Sequence, residues 1–446
     1  MKKNRTFRYF FVSITFIAVL FLFFSCASTK TTFDTKDLSY LYNPLKNTIN
    51  PAYGIFNETD DRTVLSVKLF AKELFFTEAN PAGVPMAQMF LAVKLYNMSS
   101  GRTIADTAYY DLNIVKEQQK EEYLYHIPLK VRKGTEYMAE VKIMDKIRDL
   151  MIQSFVPFNT LSELNRYNFY AREHFRKSEL LKPYVRKDEF FNVIYGRKKI
   201  DSLFIAVYKP SDEIPYPPSM ILPERSIVTK PDTVVAIPYS DTLPLMLPQK
   251  GIFLFKTARD INEGYTIFNF GQDFPTMNKP EEMIKPLVYL LPQEKADSMA
   301  ASPKPKVALD EFWLSCGGGN IEKARELIRI FYTRTIFANY YFTSWKEGWR
   351  TDRGMIYIIY GPPDKLYKSY ENETWGYRKP VVRSGWGTRY SVKEDYLFFT
   401  FKKRNNVFSD NDFYLSRSES VVTFWDKAVQ SWRKGIVFRL DNPDEI

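Results

Sequence analysis

The fold of the last third of the chain is decided by GWRTDRGMIYIIYGPPD, residues 348–364. Its six apolar residues, Met355–Tyr360, are bounded on both sides by turn-forming residues, which predicts a short buried strand between two turns. In the first turn, Gly348 and Gly354 would allow a tight connection with positive φ angles. We therefore expect this stretch to lie at the centre of a small C-terminal domain.

The flanking sequence predicts a mixed α+β domain around this centre. Asn320 is a good N-cap for a long helix that starts at Ile321, keeps apolar residues at helical spacing and runs to the region of Trp345. A short turn of helix is expected at 310–314, before the glycine run, and a buried strand at 396–401. Residues 296–307, with two prolines, are interpreted as the boundary to the preceding module.

Residues 305–440 resemble the GWxTD domain, a C-terminal module found mainly in envelope proteins of Bacteroidota. The resemblance implies membership of the GWxTD domain-containing lipoproteins, and it implies no established reaction, cofactor or metal. The positions that carry it, or that lie close by as candidate site residues, are Gly348, Trp349, Thr351, Asp352, Arg353, Gly354, Gly361, Pro362, Pro363, Asp364 and Trp375.

Two interpretations of this motif stay open. In the structural one, Trp349 is a buried anchor, Thr351 and Asp352 accept backbone donors of the turn, and an arginine of the motif pairs with Asp352 or Asp364. The functional one is a groove that binds carbohydrate and could perform acid/base chemistry with two carboxylates. Its stacking surfaces and polar contacts would come from Trp349, Trp375, Tyr377, Asp352, Arg353, Asp364 and Glu373.

Upstream of this domain, one strand-like pattern follows another. Residues 64–70 alternate between apolar and polar side chains, and further runs lie at 89–96, 123–131 and 137–144. Strands spaced this regularly, with no long helix between them, predict an antiparallel sandwich. We interpret residues 46–160 as an immunoglobulin-like module.

A second β-rich module is expected over residues 161–295, so the predicted fold is multidomain, with all-β sandwich modules followed by the α+β domain. Nine of the 26 prolines fall between Pro210 and Pro248. Their fixed φ angles and missing N–H groups exclude a central strand or a helix. Residues 210–248 are predicted to be an extended loop, a sheet edge, a partner-binding ribbon or a plain linker. The strand-like runs of the module are 190–195, 202–208, 251–255 and 265–270.

The N-terminus has the order of a secretory signal peptide, predicted here as residues 1–25. A basic start is followed by apolar residues 10–24 and then by Ser25 and Cys26. Fifteen helical residues span about 22 Å, less than the roughly 30 Å of hydrocarbon in a bilayer. We therefore prefer a cleaved signal over the alternative of a short membrane anchor.

The four residues FFSC at 23–26 resemble the lipobox of bacterial lipoproteins, although Phe24 replaces the usual small residue. The resemblance implies that the thiol of Cys26 carries a diacylglycerol and that Cys26 becomes the new N-terminus. Several acyl chains together would anchor the protein stably. Residues 26–45 would then be the lipidated N-terminus and a polar tether. No acidic export cluster follows, so we expect the periplasmic face of the outer membrane, with display on the cell surface as the open alternative.

Composition limits the classes of function. The formal charge is +11, but basic and acidic residues are interspersed, which argues against nucleic-acid binding. Two His residues argue against a zinc site or a His-based catalytic centre. Two Cys residues exclude a disulfide framework, and Cys316, just ahead of a helix, is either a small semi-buried residue or a reactive thiol.

The sequence contains no catalytic signature that we recognise, so we expect a non-enzymatic protein without cofactors. The expected function is that of an outer-membrane-anchored periplasmic lipoprotein, acting as an interaction or scaffold subunit of an envelope complex. Its partners would be the membrane, through the lipid, and an outer-membrane or periplasmic protein. The alternative is a glycan-binding or glycan-active protein that uses the C-terminal groove.

Overall fold

A computed structural model describes the chain over seven stretches. The predicted signal peptide, Cys26 and the first part of the predicted tether lie outside them. Among the described residues, no helix combines the length and the apolar character that a bilayer span requires. The described stretches are 36–78, 83–220, 230–379, 383–384, 391–392, 395–417 and 424–441.

The N-terminal module is an antiparallel two-sheet sandwich of immunoglobulin-like topology. One sheet has the strand order β1-β2-β5 and the other has the order β4-β3-β6-β7. Alternate residues such as Leu65 and Val67 on one sheet and Leu91 and Val93 on the other fill the core between them. The sequence-based prediction of a sandwich is confirmed. The strands are β1 (Ala52–Asn57), β2 (Arg62–Phe70), β3 (Met86–Asn97), β4 (Thr103–Val115), β5 (Glu122–Lys130), β6 (Glu136–Asp145) and β7 (Leu150–Asn159).

The second module is a four-stranded sheet, ordered β11-β10-β12-β13, and a hairpin, β8-β9, that packs on one of its faces. The other face of the sheet contacts Trp345 and Phe408 of the C-terminal region. Every residue of β12 is buried, which explains its continuous apolar run. The strands are β8 (Phe169–Glu173), β9 (Phe191–Tyr195), β10 (Ser202–Tyr208), β11 (Thr233–Pro238), β12 (Gly251–Lys256) and β13 (Tyr265–Asn269).

The proline-rich segment supplies the edge of this sheet. Strand β11 pairs with β10 alone among the described strands and ends at Pro238. An edge position tolerates proline, because the missing N–H group is not needed by a second neighbour. Of the alternatives left open by the sequence, an edge strand flanked by extended loops is the one observed.

The C-terminal region is an α+β domain. Its sheet, ordered β14-β15-β18-β19, packs with the helices around Trp313, Phe331, Trp375 and Trp432. The helices are α1 (Pro280–Ile284), α2 (Gln293–Ala300), α3 (Pro305–Cys316), α4 (Ile321–Phe342), α5 (Asp352–Tyr360) and α6 (Trp425–Arg433). The strands are β14 (Lys365–Lys368), β15 (Asn372–Arg378), β16 (Arg383–Ser384), β17 (Ser391–Val392), β18 (Tyr396–Lys403) and β19 (Phe413–Leu415).

Helix α5 corrects the prediction of a strand at 355–360. The side chain of Thr351 accepts a hydrogen bond from the N–H of Gly354 and caps the helix, and Gly361, with φ of 89°, ends it. The residues from Arg353 to Tyr360 are all buried. A short run that is apolar on every side has no periodicity, so helix and strand could not be told apart.

Two other predictions about the C-terminal helices have clear outcomes. The side chain of Asn320 accepts a hydrogen bond from the N–H of Lys323, which confirms the predicted N-cap of α4. The expected boundary at 296–307 is wrong, because α2 and α3 extend into it from both sides. Pro305 lies in the first turn of α3, where its missing N–H group costs no helical hydrogen bond.

The second half of the predicted tether is part of the folded domain. Residues Ser39–Tyr42 form a 3₁₀ turn, and Leu38 and Tyr42 are buried in the core of the C-terminal domain. The N–H of Leu38 donates to the carbonyl of Leu366 (2.8 Å), which covers the open edge of β14. Burying these apolar and aromatic side chains in the core lowers the free energy, whereas a solvated tether would leave them exposed to water. The expectation of a free tether up to residue 45 is therefore corrected.

Candidate functional site

The glycines of the GWxTD-like motif are required by close approach rather than by positive φ angles. A Cβ atom on Gly348 would lie 1.9 Å from the carbonyl oxygen of Ala338, and one on Gly354 would lie 2.0 Å from that of Gly348. Neither glycine has a positive φ, which corrects the expected turn geometry. Gly348 lets the chain between α4 and α5 pass against the C-terminal half of α4, and Gly354 lets α5 pack against Gly348 and Trp349.

The three aromatic residues proposed as stacking surfaces lie in the core. The relative exposure of Trp349 is 1%, that of Trp375 is 0% and that of Tyr377 is 4%. The backbone of Trp349 is held from both sides: its N–H donates to Asn339 Oδ1 (3.0 Å), and its carbonyl accepts from the hydroxyl of Tyr289 (2.6 Å). No ligand can stack on these rings, so the aromatic groove expected from the sequence is absent from the described structure.

Asp352 fastens the strand β19 to the start of helix α5. Its carboxylate accepts hydrogen bonds from the N–H of Leu415 (3.0 Å) and from Arg417 (2.5 Å). The arginines of the motif pair elsewhere, which corrects the expected pairing with Asp352 or Asp364. Arg350 contacts Glu347 at 2.7 Å, beside the motif.

The last residues of the motif, 361–364, follow the C-terminal end of α5, whereas Asp352 lies at its N-terminal end. Pro362 and Pro363 follow the helix, and Asp364 accepts a hydrogen bond from the N–H of Arg378 (2.8 Å). Nine helical residues at 1.5 Å each separate the two ends by roughly 13 Å. Carboxylate pairs that hydrolyse glycosidic bonds lie about 5 to 9.5 Å apart. The pair formed by Asp352 and Asp364 therefore does not have the geometry of that chemistry.

A buried charge network joins the motif to the sheet and to the N-terminal segment. The carboxylate of Glu373 contacts Arg353 (3.2 Å) and Lys368 (2.9 Å), and it accepts hydrogen bonds from the hydroxyl of Tyr42 (2.9 and 3.1 Å). Arg353 also donates to the side-chain oxygen of Asn411 (2.6 Å). Four separate parts of the chain thus meet at one carboxylate inside the protein.

The electrostatics of this network favour the charged state of Glu373. Burial alone would raise the pKa of Glu373, but the charges of Lys368 and Arg353 outweigh it and lower the pKa to about 2. Burial lowers the pKa of Lys368, and the facing carboxylate more than compensates, so its pKa is raised. Glu373 and Lys368 are therefore both charged at neutral pH, and the network acts as an internal clamp.

An open cleft, which we call the cationic cleft, lies beside the motif. It has a volume of about 430 Å³ and separates the proline-rich stretch Glu213–Tyr216 from the strand β19. Its apolar wall includes Pro215, Trp345, Phe413 and Tyr414. Its charged lining has five cationic and three anionic side chains: Lys346, Arg350, Lys402, Arg404, Arg417, Glu213, Asp352 and Asp412.

Among the half-buried cations in the cleft, Arg404 has the weakest hydrogen bonds and ion pairs to the rest of the protein. Its Nε atom has no hydrogen-bond partner among the described residues, and the carboxylate of Asp412 is 3.9 Å away. The guanidinium lies over the ring of Tyr414, 5.1 Å from the centroid. Burial raises the pKa of Asp412. By contrast, Lys346 pairs with Glu213 at 3.1 Å.

Apart from residues 350–352 of the motif, the sequence interpretation did not single out the cleft residues. The basic run Lys402-Lys403-Arg404 was a visible signal, but its meeting with the proline-rich segment depends on tertiary structure. The reactive-thiol alternative for Cys316 is not supported: the residue is buried, and burial raises the pKa of its thiol. Within the described stretches, no group of His, Cys, Asp and Glu side chains is arranged to hold a metal ion.

Comparison with known proteins identifies one domain. The model of the GWxTD domain family matches residues 251–434, from the first residue of β12 to the residue after α6. The match thus starts earlier than the predicted 305 and includes the two strands whose sheet packs on the C-terminal domain. No curated protein matches the chain.

Several solved structures share a local likeness with this chain. One is β-glucuronidase 2 of Bacteroides uniformis bound to cyclophellitol-6-carboxylate aziridine, with 13% identity and a TM-score of 0.17 over 25% of this chain and 13% of that one. A calcium-binding mutant of that enzyme and a B. uniformis β-glucuronidase are 12% identical, with TM-scores of 0.18 and 0.17. They match over 34% of this chain and 15% of theirs. The chain covers only a small part of these enzymes, and likenesses at such TM-scores carry no argument.

Proposed function

The chain contains a GWxTD domain, and from this premise we propose that the protein is a lipid-anchored interaction subunit of a bacterial envelope complex, without a catalytic role of its own. The sequence pattern of a signal peptide followed by Cys26 supports lipidation and attachment to the outer membrane, facing the periplasm. The family resemblance supports an origin in Bacteroidota.

The observation that carries the proposal is the cationic cleft. The side chains of the motif itself are used within the fold: Trp349 and Arg353 are buried, and Asp352 accepts a hydrogen bond from the backbone of Leu415. The opening next to them combines an apolar wall with an excess of positive charge. Such a surface is complementary to an acidic segment of a partner protein that also carries apolar side chains.

Arg404 is the residue through which the cleft can be tested. It is partly exposed, and within the described stretches its side chain contacts only Asp412, through a long ion pair, and the ring of Tyr414, so its replacement should leave the fold intact. An acidic partner segment would gain a close charge pair with it in a partly desolvated site. Reversing the charge with Arg404→Glu should therefore weaken binding at least about tenfold. Arg329→Glu, on the exposed side of α4, is the matched control.

The experiment is affinity purification of the tagged, lipidated protein from detergent-solubilised envelopes, followed by mass spectrometry. We expect a stoichiometric protein partner that is lost with Arg404→Glu, is retained with Arg329→Glu and dissociates at high salt. A Cys26→Ala variant tests whether the complex forms only on the membrane. Recovery of the protein alone, or of a partner that both arginine variants retain, would refute the cleft as its binding site.

The alternative of a glycan-binding protein is decided by the same samples. The buried aromatic rings remove the stacking surfaces on which that alternative rested. Co-purification of an acidic polysaccharide in place of a protein, again lost with Arg404→Glu, would overturn the protein-partner proposal and assign the cleft to an envelope glycan.

A further inference from the structure

The sandwich has an open edge at strand β4. Within the described part of the chain, β4 pairs with β3 only, and it is 13 residues long. Almost all of its residues are exposed or half-buried. A long unpaired edge offers a row of backbone N–H and C=O groups to another strand.

The phase of the β3–β4 ladder identifies which residues of β4 direct their backbone groups to the open edge. The N–H of Lys116 donates to the carbonyl of Pro85 (2.9 Å), just past the last strand pair, Met86 with Val115. In an antiparallel ladder, consecutive residues direct these groups alternately towards and away from the neighbour. The even-numbered residues of β4 therefore face β3, and the odd-numbered residues from 107 to 115 face the open edge. Two of their backbone groups are already bonded: the N–H of Thr107 donates to Asp106 Oδ1 (2.9 Å), and the carbonyl of Val115 accepts from the hydroxyl of Tyr123 (3.0 Å).

The side chains next to this edge are unusually apolar for a solvent-exposed strand. Tyr109 is 56% exposed and stacks on Phe90 of β3, with centroids 6.4 Å apart. Ile104 is 60% exposed and Val115 is 42% exposed. Natural edge strands are commonly protected by proline, by lysine or by a central bulge. Strand β4 contains no proline and no lysine, and the one register shift lies near its start, opposite Leu95 and Tyr96.

The sequence of β4 is compatible with pairing to itself. An antiparallel pair centred on Tyr109 sets 107 against 111 and brings residue 103 of one copy near residue 115 of the other. This register aligns the edge-facing odd-numbered residues and gives the largest overlap. It also places Asp111 opposite Thr107 and Asp106 opposite Leu112, so that no carboxylate faces another. A register displaced by one residue would set Asp106 against Asp111, where like charges destabilise.

We propose that β4 pairs with β4 of a second copy of this chain, forming a two-fold symmetric dimer with a continuous eight-stranded sheet. The two Tyr109 rings lie side by side at the two-fold axis, and each is backed by Phe90. The aromatic stripe thereby runs from one sandwich into the other. This interface is separate from the cationic cleft and does not depend on the function proposed for it.

Disulfide cross-linking tests the register. In a hydrogen-bonded antiparallel pair the two Cα atoms lie about 5.5 Å apart, within the roughly 4.4 to 6.8 Å that a disulfide spans. Tyr109→Cys should therefore form a covalent dimer under mild oxidation. Asn113→Cys lies on the same strand face, but the Asn113 positions of the two copies would be eight residues apart along the paired strands, about 27 Å. This variant should therefore not form a covalent dimer. Both are made in the full chain carrying Cys26→Ala, in detergent, where the remaining thiol of Cys316 is buried.

Mass measurement by sedimentation tests the interface without cross-linking. We expect the full chain to sediment as a dimer, and Tyr109→Glu, which places two carboxylates face to face, to weaken the dimer at least about tenfold with an unchanged melting temperature. Phe175→Glu, at another highly exposed aromatic residue, is the control. A monomer at all concentrations, or equal cross-linking of Tyr109→Cys and Asn113→Cys, would overturn the proposal.

Discussion

The replacement Glu373→Gln tests whether the GWxTD domain is held together by its internal charge clamp. The substitution preserves the size of the side chain but removes the charge that faces Arg353, which stays buried, and Lys368, which stays half-buried. It also weakens the acceptor for the hydroxyl of Tyr42. The fold keeps its apolar contacts, so any loss of stability reports on the network.

The size of the effect can be estimated in two ways. A pKa lowered from 4.5 to about 2 corresponds to about 3 kcal/mol of stabilisation of the folded state at neutral pH. Removal of one partner from a buried ion pair costs roughly 3 to 5 kcal/mol, because the remaining charge is left without compensation. Both estimates predict that Glu373→Gln lowers the free energy of unfolding of the domain by about 3 kcal/mol or more at pH 7.

The sign of the pH dependence follows from the lowered pKa. The pKa of Glu373 is lower in the folded state than in the unfolded chain, so its stabilisation is complete above about pH 4.5. It is lost progressively as the pH falls towards 2. The unfolding curves of the original protein and of Glu373→Gln should therefore converge over this range.

Tryptophan emission during urea unfolding is a selective assay, because all seven tryptophans lie between Trp313 and Trp432. It reports on the C-terminal domain and not on the sandwich. Glu326→Gln, on the exposed side of α4, controls for the loss of one carboxylate. If Glu373→Gln unfolds at the same urea concentration as the control at pH 7, the carboxylate is not a clamp and the reasoning is refuted.

Three further changes probe other parts of the domain. Gly348→Ala or Gly354→Ala puts a Cβ atom about 2 Å from a carbonyl oxygen and should abolish the cooperative transition, whereas Gly318→Ala, at φ 63° in open space, should cost only about 1 to 2 kcal/mol. Equal, small losses in urea unfolding would contradict the close approach. Cys316 should react with a thiol probe at pH 7 only as fast as the domain unfolds, and rapid labelling of the folded protein would disprove its burial. Tyr42→Phe should cost about 1.5 to 3 kcal/mol in the same urea assay, and an unchanged midpoint would show that the N-terminal segment is not docked.

Local patterns were sufficient for much of the fold. The run 202–208 coincides with β10, and the runs 64–70, 89–96 and 137–144 lie within β2, β3 and β6. The run 123–131 matches β5 except for its last residue. Each of these runs alternates or is bounded by turn residues, and that information is present within a few positions. The cap at Asn320 is likewise a short-range signal, since donor and acceptor are three residues apart.

The candidate site depended on contacts that no local pattern contains. Lys368 and Glu373 face each other only because β14 and β15 pair in one register, and Arg353 joins them from a helix that had been predicted as a strand. The cationic cleft needs Glu213 and Arg404, which are far apart in the chain, to lie on opposite walls. Composition could suggest that charged residues are present, but it could not indicate which of them would be buried together.

The docking of the N-terminal segment has a mechanical consequence. The chain enters the structure through the last domain in sequence: Leu38 bonds to Leu366, and the carbonyl of Tyr42 accepts from the hydroxyl of Tyr357 (2.8 Å). The same segment also bonds to the sandwich, since the hydroxyl of Tyr40 donates to the carbonyl of Gln153 (3.0 Å) and accepts from its N–H (2.9 Å). Tension applied ahead of residue 36 is therefore transmitted to the C-terminal domain and to the sandwich together, and neither is loaded alone until residues 38–42 have been pulled out.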